Sequence, residues 1–327
     1  MNRRPIWFRI AWLFVLSLSA APAHAQSDHY PNKPVKIISD AAAGSAPDTV
    51  ARFVAEGLSQ PWGQQVLVVN QPGAGGSIAA RLAAEAARDG YTLFLPSLST
   101  FVSLPGAAPN LPLQLPRDFA PIGFADENPM FIAVSPSLGV KTLPDLIALA
   151  KNRPGEITIA ATGIGRLTHL TGELLQLKAG IRFLTVPYTG GPANAMSDVS
   201  AGRVNVIIEG FSGLAAGIRA GLARPIAVAS LQRLPDFPDL PAVAETIPGF
   251  SAIGWQALVA PVDTPEAVLG KVSEDLRYLA SQPELKQKLG KLGIYTRPMS
   301  PGELLEFVHA QQEMWNPVLA QIAAKTP

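Results

Sequence analysis

The sequence predicts an α/β protein of two lobes joined by two crossing strands. Three observations carry this reading. Short apolar runs alternate with amphipathic stretches from Pro34 to Ala229, the pattern of a parallel sheet with crossover helices. Glycine-bearing loops stand where those runs end and the helical stretches begin. Two longer apolar segments, Pro121–Val134 and Ile253–Ala260, break the alternation, and helical sequence follows the second. The chain is therefore expected to pass out to a second lobe and back once. Lobe I takes 29–125 plus 253–327, and lobe II takes 126–252.

Residues 1–25 read as an export signal. Arg3, Arg4 and Arg9 supply a positive start, Ile10–Ala21 an apolar stretch, and Ala23-His24-Ala25 a small-x-small cleavage site before Gln26. With its flanks, the apolar stretch is too short to span a bilayer. The expected product is a soluble periplasmic protein cleaved near Ala25.

Pro34–Ile38 is the first strand. Pro47, suited to a first helical position, opens a helix to about Leu58 with Val50, Phe53, Val54 and Leu58 on one face. Gln65–Asn70 is a second strand. Gln71-Pro-Gly-Ala-Gly-Gly76 reads as a tight turn before a helix over Ser77–Ala87, and Tyr91–Pro96 is the third strand. Past the first crossing segment, Thr142-Leu-Pro-Asp145 resembles a capping box for a helix to Lys151. Ile157–Ala161, Phe183–Pro187, Val204–Ile208 and Pro225–Ala229 are further strands. Between them lie a helix with Leu167, Leu170, Leu174 and Leu177 on one face, ending before Gly180, and a short helix to Ala201. After the second crossing, Thr264 is expected to cap a helix beginning at Pro265, and Ser300-Pro-Gly-Glu303 forms a capping box before the last helix.

Composition excludes several functions. Hydrophobic residues are 48%, enough for two cores in about 300 mature residues. A net charge of +1 with no run of like charges gives nucleic acid no footprint. Absence of cysteine rules out disulfides, cysteine catalysis and zinc–thiolate sites. His29, His169 and His309 lack metal-ligand spacing, so neither metal nor cofactor is expected. No GxSxG, SxxK, HExxH or Walker pattern occurs. The adjacent acids Asp126-Glu127 read as a solvated surface pair. Trp62, Trp255 and Trp315 read as core or rim residues, with Trp255 placed on a crossing strand at the cleft.

Ligands of open parallel sheets bind beyond the carboxyl ends of the strands. The loops there give the candidate site: Ala43, Gly44, Ser45 and Asp48; Ser99 and Thr100; Thr162, Gly163, Gly165, Arg166, Thr168 and His169; Tyr188 and Gly190; Glu209; and Trp255. Glycine permits close backbone approach, and helix N-termini present N–H groups to an anion. Asp48 either shapes its loop or meets an ammonium on the ligand. His169 is either a structural histidine or a ligand contact.

These landmarks together resemble the Bug family, the extracytoplasmic receptors of tripartite tricarboxylate transporters. The resemblance rests on Ala43-Gly44-Ser45-Ala46-Pro47-Asp48, Val69-Asn70-Gln71-Pro72-Gly73-Ala74-Gly75-Gly76, Asp89-Gly90-Tyr91-Thr92-Leu93, Val186-Pro187-Tyr188 and Leu240-Pro241-Ala242-Val243-Ala244-Glu245. It implies a two-lobed type II periplasmic-binding-protein fold, a flytrap closing on a small organic acid. It further implies that the loops Gly44–Asp48 and Thr162–His169 hold one carboxylate, partly through water. The chain departs from the pattern at Ser39–Ser45, where relatives carry Pro-Phe-Pro-Ala-Gly-Gly. It departs again at Arg166 in place of serine, Glu209 in place of aspartate, and Thr189 in place of lysine. Arg166 either turns inward to favour a second carboxylate, turns outward to solvent, or pairs with Glu209.

The first functional expectation is a monomeric periplasmic receptor delivering a small acid to membrane transporter subunits or to a sensor protein. Its rivals are a ligand-sensing adaptor and an exported enzyme built on His169 with Ser99 or Glu209.

Overall fold

The computed structural model describes residues 30–103, 113–189 and 191–324. The expected export signal and Gly190 lie outside these. In order, the chain forms β1 (Val35–Ser39), α1 (Ala46–Trp62), β2 (Val66–Asn70), a 3₁₀ turn (Ala74–Gly76) running into α2 (Ser77–Ala84), β3 (Thr92–Leu95) and α3 (Leu98–Val102). The 16-residue strand β4 (Phe119–Val134) leads to α4 (Leu143–Asn152), β5 (Thr158–Ala161), α5 (Leu167–Ala179), β6 (Leu184–Pro187), α6 (Pro192–Ser200), β7 (Val206–Gly210), α7 (Phe211–Arg219) and β8 (Arg224–Val228). Then come β9 (Ile253–Pro261), α8 (Glu266–Ser281), α9 (Pro283–Gly290) and α10 (Pro301–Ala323).

Nine strands form one mixed sheet in the order β2-β1-β3-β9-β4-β7-β5-β6, with β8 also on β4. Pairing is parallel on both sides of β1 and of β5, and antiparallel around β9 and β4. Two parallel wings are thus joined by an antiparallel centre. The strand β4 belongs to both wings. Its first part, Phe119 to Pro129, runs against β9, and its second, Met130 to Val134, runs between β7 and β8. Register shifts at Pro121/Gly123 and Phe124/Asp126 bend it where it crosses, and the first of them accommodates a proline inside the sheet.

The second half of β4 shows why its sequence is continuously apolar. Met130, Ile132 and Val134 enter one core cluster while Phe131 and Ala133 enter another on the opposite face. Both faces are covered, so the usual alternation of apolar and polar residues is lost. Each such large side chain stabilises the fold by about 1.5–3 kcal/mol on burial.

Local chemistry sets the helix ends. The Thr142 hydroxyl accepts the Asp145 N–H at 3.2 Å, and the Asp145 carboxylate accepts the Thr142 N–H at 3.1 Å. Ser300 and Glu303 make the same reciprocal exchange before α10. Gly180 ends α5 in a left-handed conformation.

Two expectations fail here, for Thr264 and Asp126, and one helix was not foreseen. Thr264 does not cap α8: its hydroxyl donates to the Pro261 carbonyl at 2.8 Å, closing the turn after β9, and Pro265 holds the cap position. The helix α7 has no counterpart in the sequence reading, because Gly213 and Gly217 lower its helix propensity. Those glycines serve packing: a Cβ on Gly217 would lie 2.6 Å from the Met196 sulfur in α6, and one on Gly213 2.9 Å from Cγ of Glu209. Asp126 is fully buried rather than solvated, while its neighbour Glu127 pairs with Arg297. Asp126 sits opposite Gln256 of β9 and accepts from the Asn128 amide at 2.5 Å. Burial above all, with the charge of Glu127, pushes its carboxyl up to about 8, against the pull of Asn128.

This raised value makes stability depend on pH. Folded Asp126 holds its proton across the interval from about pH 4, where it ionises in an unfolded chain, to about 8. Its contribution is therefore complete below about pH 4 and is lost as pH rises toward 8. Asp126→Asn is expected to flatten that decline. Denaturant unfolding of both proteins at pH 5 and pH 8 should show the variant gaining on wild type at pH 8, and parallel curves would contradict the assignment.

Candidate ligand-binding cleft

The carboxyl ends of β1, β3, β5, β6 and β7 point their loops at one cavity of about 320 Å³, at the small end of ligand pockets. Among the expected site residues, Ser45, Ser99, Thr162, Gly163, Arg166, Thr168, Tyr188, Glu209 and Trp255 line it. Ala43, Gly44, Asp48, Thr100, Gly165 and His169 stand outside the lining.

The outer group holds the loops. Buried Asp48 accepts the Gly44 N–H at 2.9 Å, the Arg52 Nε–H at 3.0 Å and the Asn70 amide at 2.9 Å. The Gly44 N–H is thereby used within the loop, and Asp48 shapes that loop rather than meeting a ligand. Burial raises the Asp48 pKa, but these donors outweigh it and leave the carboxyl below its ordinary range. His169 takes the Gly165 N–H on Nδ1 at 3.4 Å, and its Nε2 lies 3.8 Å from Glu173. Burial lowers its pKa against the pull of Glu173, so the ring is neutral at pH 7. Turned to α5 in this way, it assembles no base–nucleophile set with Ser99 or Glu209.

Arg166 turns inward, and its partner is Asp40, not Glu209. Its Nη2 donates to Asp40 Oδ1 at 3.2 Å, and Nη1 lies 3.1 Å from Oδ2. Asp40 also accepts the Ser97 N–H at 3.1 Å, the Ser97 hydroxyl at 3.0 Å and the Thr100 hydroxyl at 2.5 Å. Thr100 thus supports Asp40 from behind. Two glycines make room. A Cβ on Gly76 would fall 2.3 Å from the Thr100 hydroxyl and 3.1 Å from Asp40 Oδ2, and one on Gly163 2.5 Å from Arg166 Cγ.

Glu209 closes the deep end of the cleft. Its carboxylate accepts the Gly210 N–H at 3.0 Å and the Thr162 hydroxyl at 3.2 Å. Burial pushes its pKa up, while Gly210, Thr162 and the nearby Arg166 pull it down. Tyr188 donates to Asp198 at 2.5 Å, and burial together with that carboxylate pushes the phenol up to about 12. The Trp255 ring is buried and donates to Gln311 at 3.1 Å.

Sequence reasoning placed Asp40 and Ser97 in ligand loops without singling them out, missed Asn128 and Met130 in the lining, and favoured a tight turn over a ligand contact for residues 71–76. Asp40 follows a strand directly, as the chosen loops do, and that position was the available signal. Asn128 and Met130 lie inside β4 and carry none.

The loops of the two wings touch directly. Ser99 Oγ accepts the Leu167 N–H at 3.1 Å, and Ser103 Oγ donates to the Gly165 carbonyl at 2.9 Å. The sequence matches the family described as Tripartite tricarboxylate transporter family receptor over residues 50–324. This chain belongs to that family. It is 32% identical over 309 residues to the protein BugT of Bordetella pertussis, covering 94% of each chain. It superposes on an R. palustris protein solved with adipate with a TM-score of 0.86 at 27% identity, covering 90% of this chain and 98% of that one. It superposes on MatC from Rhodopseudomonas palustris with bound malate with a TM-score of 0.80 at 26% identity, covering 89% and 100%. The fold is that of a periplasmic binding protein, and the family role is solute binding. Among the described residues no helix is long and apolar enough to cross a membrane.

Asp48→Ala would strip the partner from the Gly44 and Asn70 donors. The expected cost is about 1–3 kcal/mol, read by denaturant unfolding at pH 7. Because the carboxyl is held low, its contribution is present above about pH 4 and fades as pH falls below it. The deficit should shrink accordingly in acid.

Proposed function

We propose that this receptor captures a small organic acid in the periplasm and delivers it to the membrane subunits of a tripartite tricarboxylate-type transporter. On this reading residues 1–25 are removed on export. The lobes 29–125 with 253–327, and 126–252, close on the ligand as a monomer. The protein is a carrier rather than a catalyst.

One observation carries the reading. The loops that meet around the cavity come from opposite ends of the two crossing strands, and their contacts run from one proposed lobe to the other. Ser99, Ser103 and Asp40 lie on one side, and Gly165, Arg166 and Leu167 on the other. Such contacts favour the closed form, and a ligand that touches both sides adds to that preference. The Ser99 and Thr168 hydroxyls, which accept rather than donate within the protein, with the N-termini of α1 and α5, suit one carboxylate. The adipate and malate in the neighbouring structures support an organic acid as the ligand and do not set how many carboxylates this cleft takes. No base–nucleophile pair lines the cavity among the described residues, which supports carriage over catalysis.

Closure has a specific test. Gly210 has an ordinary φ of −61°, yet a Cβ there would lie 2.4 Å from the Ala46 Cβ across the cleft. Gly210→Ala is expected to weaken acid binding at least about tenfold, or 1.4 kcal/mol, with the melting temperature little changed. Native mass spectrometry of the wild type should first reveal a co-purified small acid, which calorimetry then titrates into both proteins. Unchanged affinity in the variant would rule out closure at this contact. A bare wild-type chain that also binds no acid in calorimetry would rule out the receptor reading.

A further inference from the structure

We propose that the cleft selects acids bearing a single negative charge and rejects dicarboxylates, because Asp40 already fills the guanidinium fork of Arg166. The inference rests on the receptor reading above and names the substrate class of that site.

Among the described residues the charged side chains lining the cavity are Asp40, Arg166 and Glu209. Two acids face one base. The base is engaged through both terminal nitrogens, at 3.1 and 3.2 Å, by a carboxylate that has no solvent exposure. The pair is built in rather than incidental. Ser97 and Thr100 fix Asp40 through Oδ2, the oxygen that also faces Arg166 Nη1, and the missing side chains at Gly76 and Gly163 leave the space that Thr100, Asp40 and the Arg166 stem fill.

A second carboxylate on a ligand would want that guanidinium, since arginine binds carboxylates in the same forked geometry. To take the terminal fork, the ligand must displace Asp40; at the remaining Nε edge it would meet a base whose charge Asp40 already balances. Displacement would leave a fully buried carboxylate held by Ser97 and Thr100 but without its cation, an outcome that opposes binding. If the ligand leaves Asp40 in place, its second carboxylate lies beside that carboxylate and Glu209 with the base already paired, where like-charge juxtaposition opposes binding.

A first carboxylate faces no such conflict. The helix N-termini of α1 and α5 and the hydroxyls of Ser99 and Thr168, which accept from the Leu167 N–H and the Thr162 hydroxyl and retain their own O–H, are neutral donors with a favourable dipole. Of the remaining wall, Pro72–Gly76, Met130 and Trp255 offer apolar surface, Asn128 and Tyr188 are uncharged polar side chains, and Glu209 offers an acceptor. It suits a tail that is uncharged or carries a hydrogen-bond donor.

The test is calorimetry at pH 7.5 with acids matched in length, butyrate against succinate and hexanoate against adipate. Wild type is expected to bind the monocarboxylate of at least one pair at least about tenfold more tightly than its partner. Asp40→Asn frees Arg166 and keeps the shape of the side chain. It should tighten dicarboxylate binding at least about tenfold, and adding Arg166→Gln should remove that gain. A wild-type preference for the dicarboxylate, or a ratio unchanged within about twofold in Asp40→Asn, overturns the proposal and leaves the receptor reading intact. Should Asp40→Asn fold poorly, the wild-type ratio alone decides. Binding of neither member of any pair, by wild type and variant alike, counts against the receptor reading and takes this inference with it.

Discussion

The antiparallel pairing of β4 with β9 is the constraint on which the rest depends. Each wing of the sheet contains parallel strands, whose carboxyl ends collect loops along one edge. A single wing would offer only a shallow rim. Because β4 runs from Phe119 beside β9 to Val134 between β7 and β8, the two rims are held facing each other. The register shifts within β4 supply the bend, and residues at that bend, Asn128, Met130, Gly254 and Trp255, become part of the cavity wall. The same strands that join the wings thus form part of the site.

Within the cleft, electrostatics is arranged by burial and pairing. Asp48 and Asp40 are both buried carboxylates one loop apart, but they do different things. Asp48 collects donors from its own wing and keeps the loop in shape. Asp40 reaches across to Arg166 and so ties the two sides together. Glu209 has no cation of its own within bonding distance and is kept in place by a backbone N–H and a hydroxyl. The pair joins two loops on opposite sides of the cleft, and the proposal on ligand charge rests on it.

Much of the architecture was legible because it rests on local rules. Strand and helix alternation, both capping boxes and the glycine stop after α5 follow from propensities and hydrogen-bond needs within a few residues. The site was legible as a set of loops: nine of the proposed residues do line the cavity. Errors arose where a residue's fate depends on distant neighbours. Asp126 looks like half of a surface acid pair, yet the sheet buries it against Gln256. Gly44 looks like an anion donor, yet Asp48 takes its N–H. The glycines of α7 look like helix breakers, yet they admit Met196 and Glu209.

Most strands and helices, and the glycine-bearing loops between them, were determined by the sequence alone, because periodicity and turn chemistry act over short spans. Which side chain meets which across the cleft was decided only by the tertiary structure. Asp40 and Arg166 are separated by 126 positions along the chain, and no local preference of either residue specifies the other. Their meeting follows from the bend of β4 and from the space left at Gly76 and Gly163, both properties of the packed molecule.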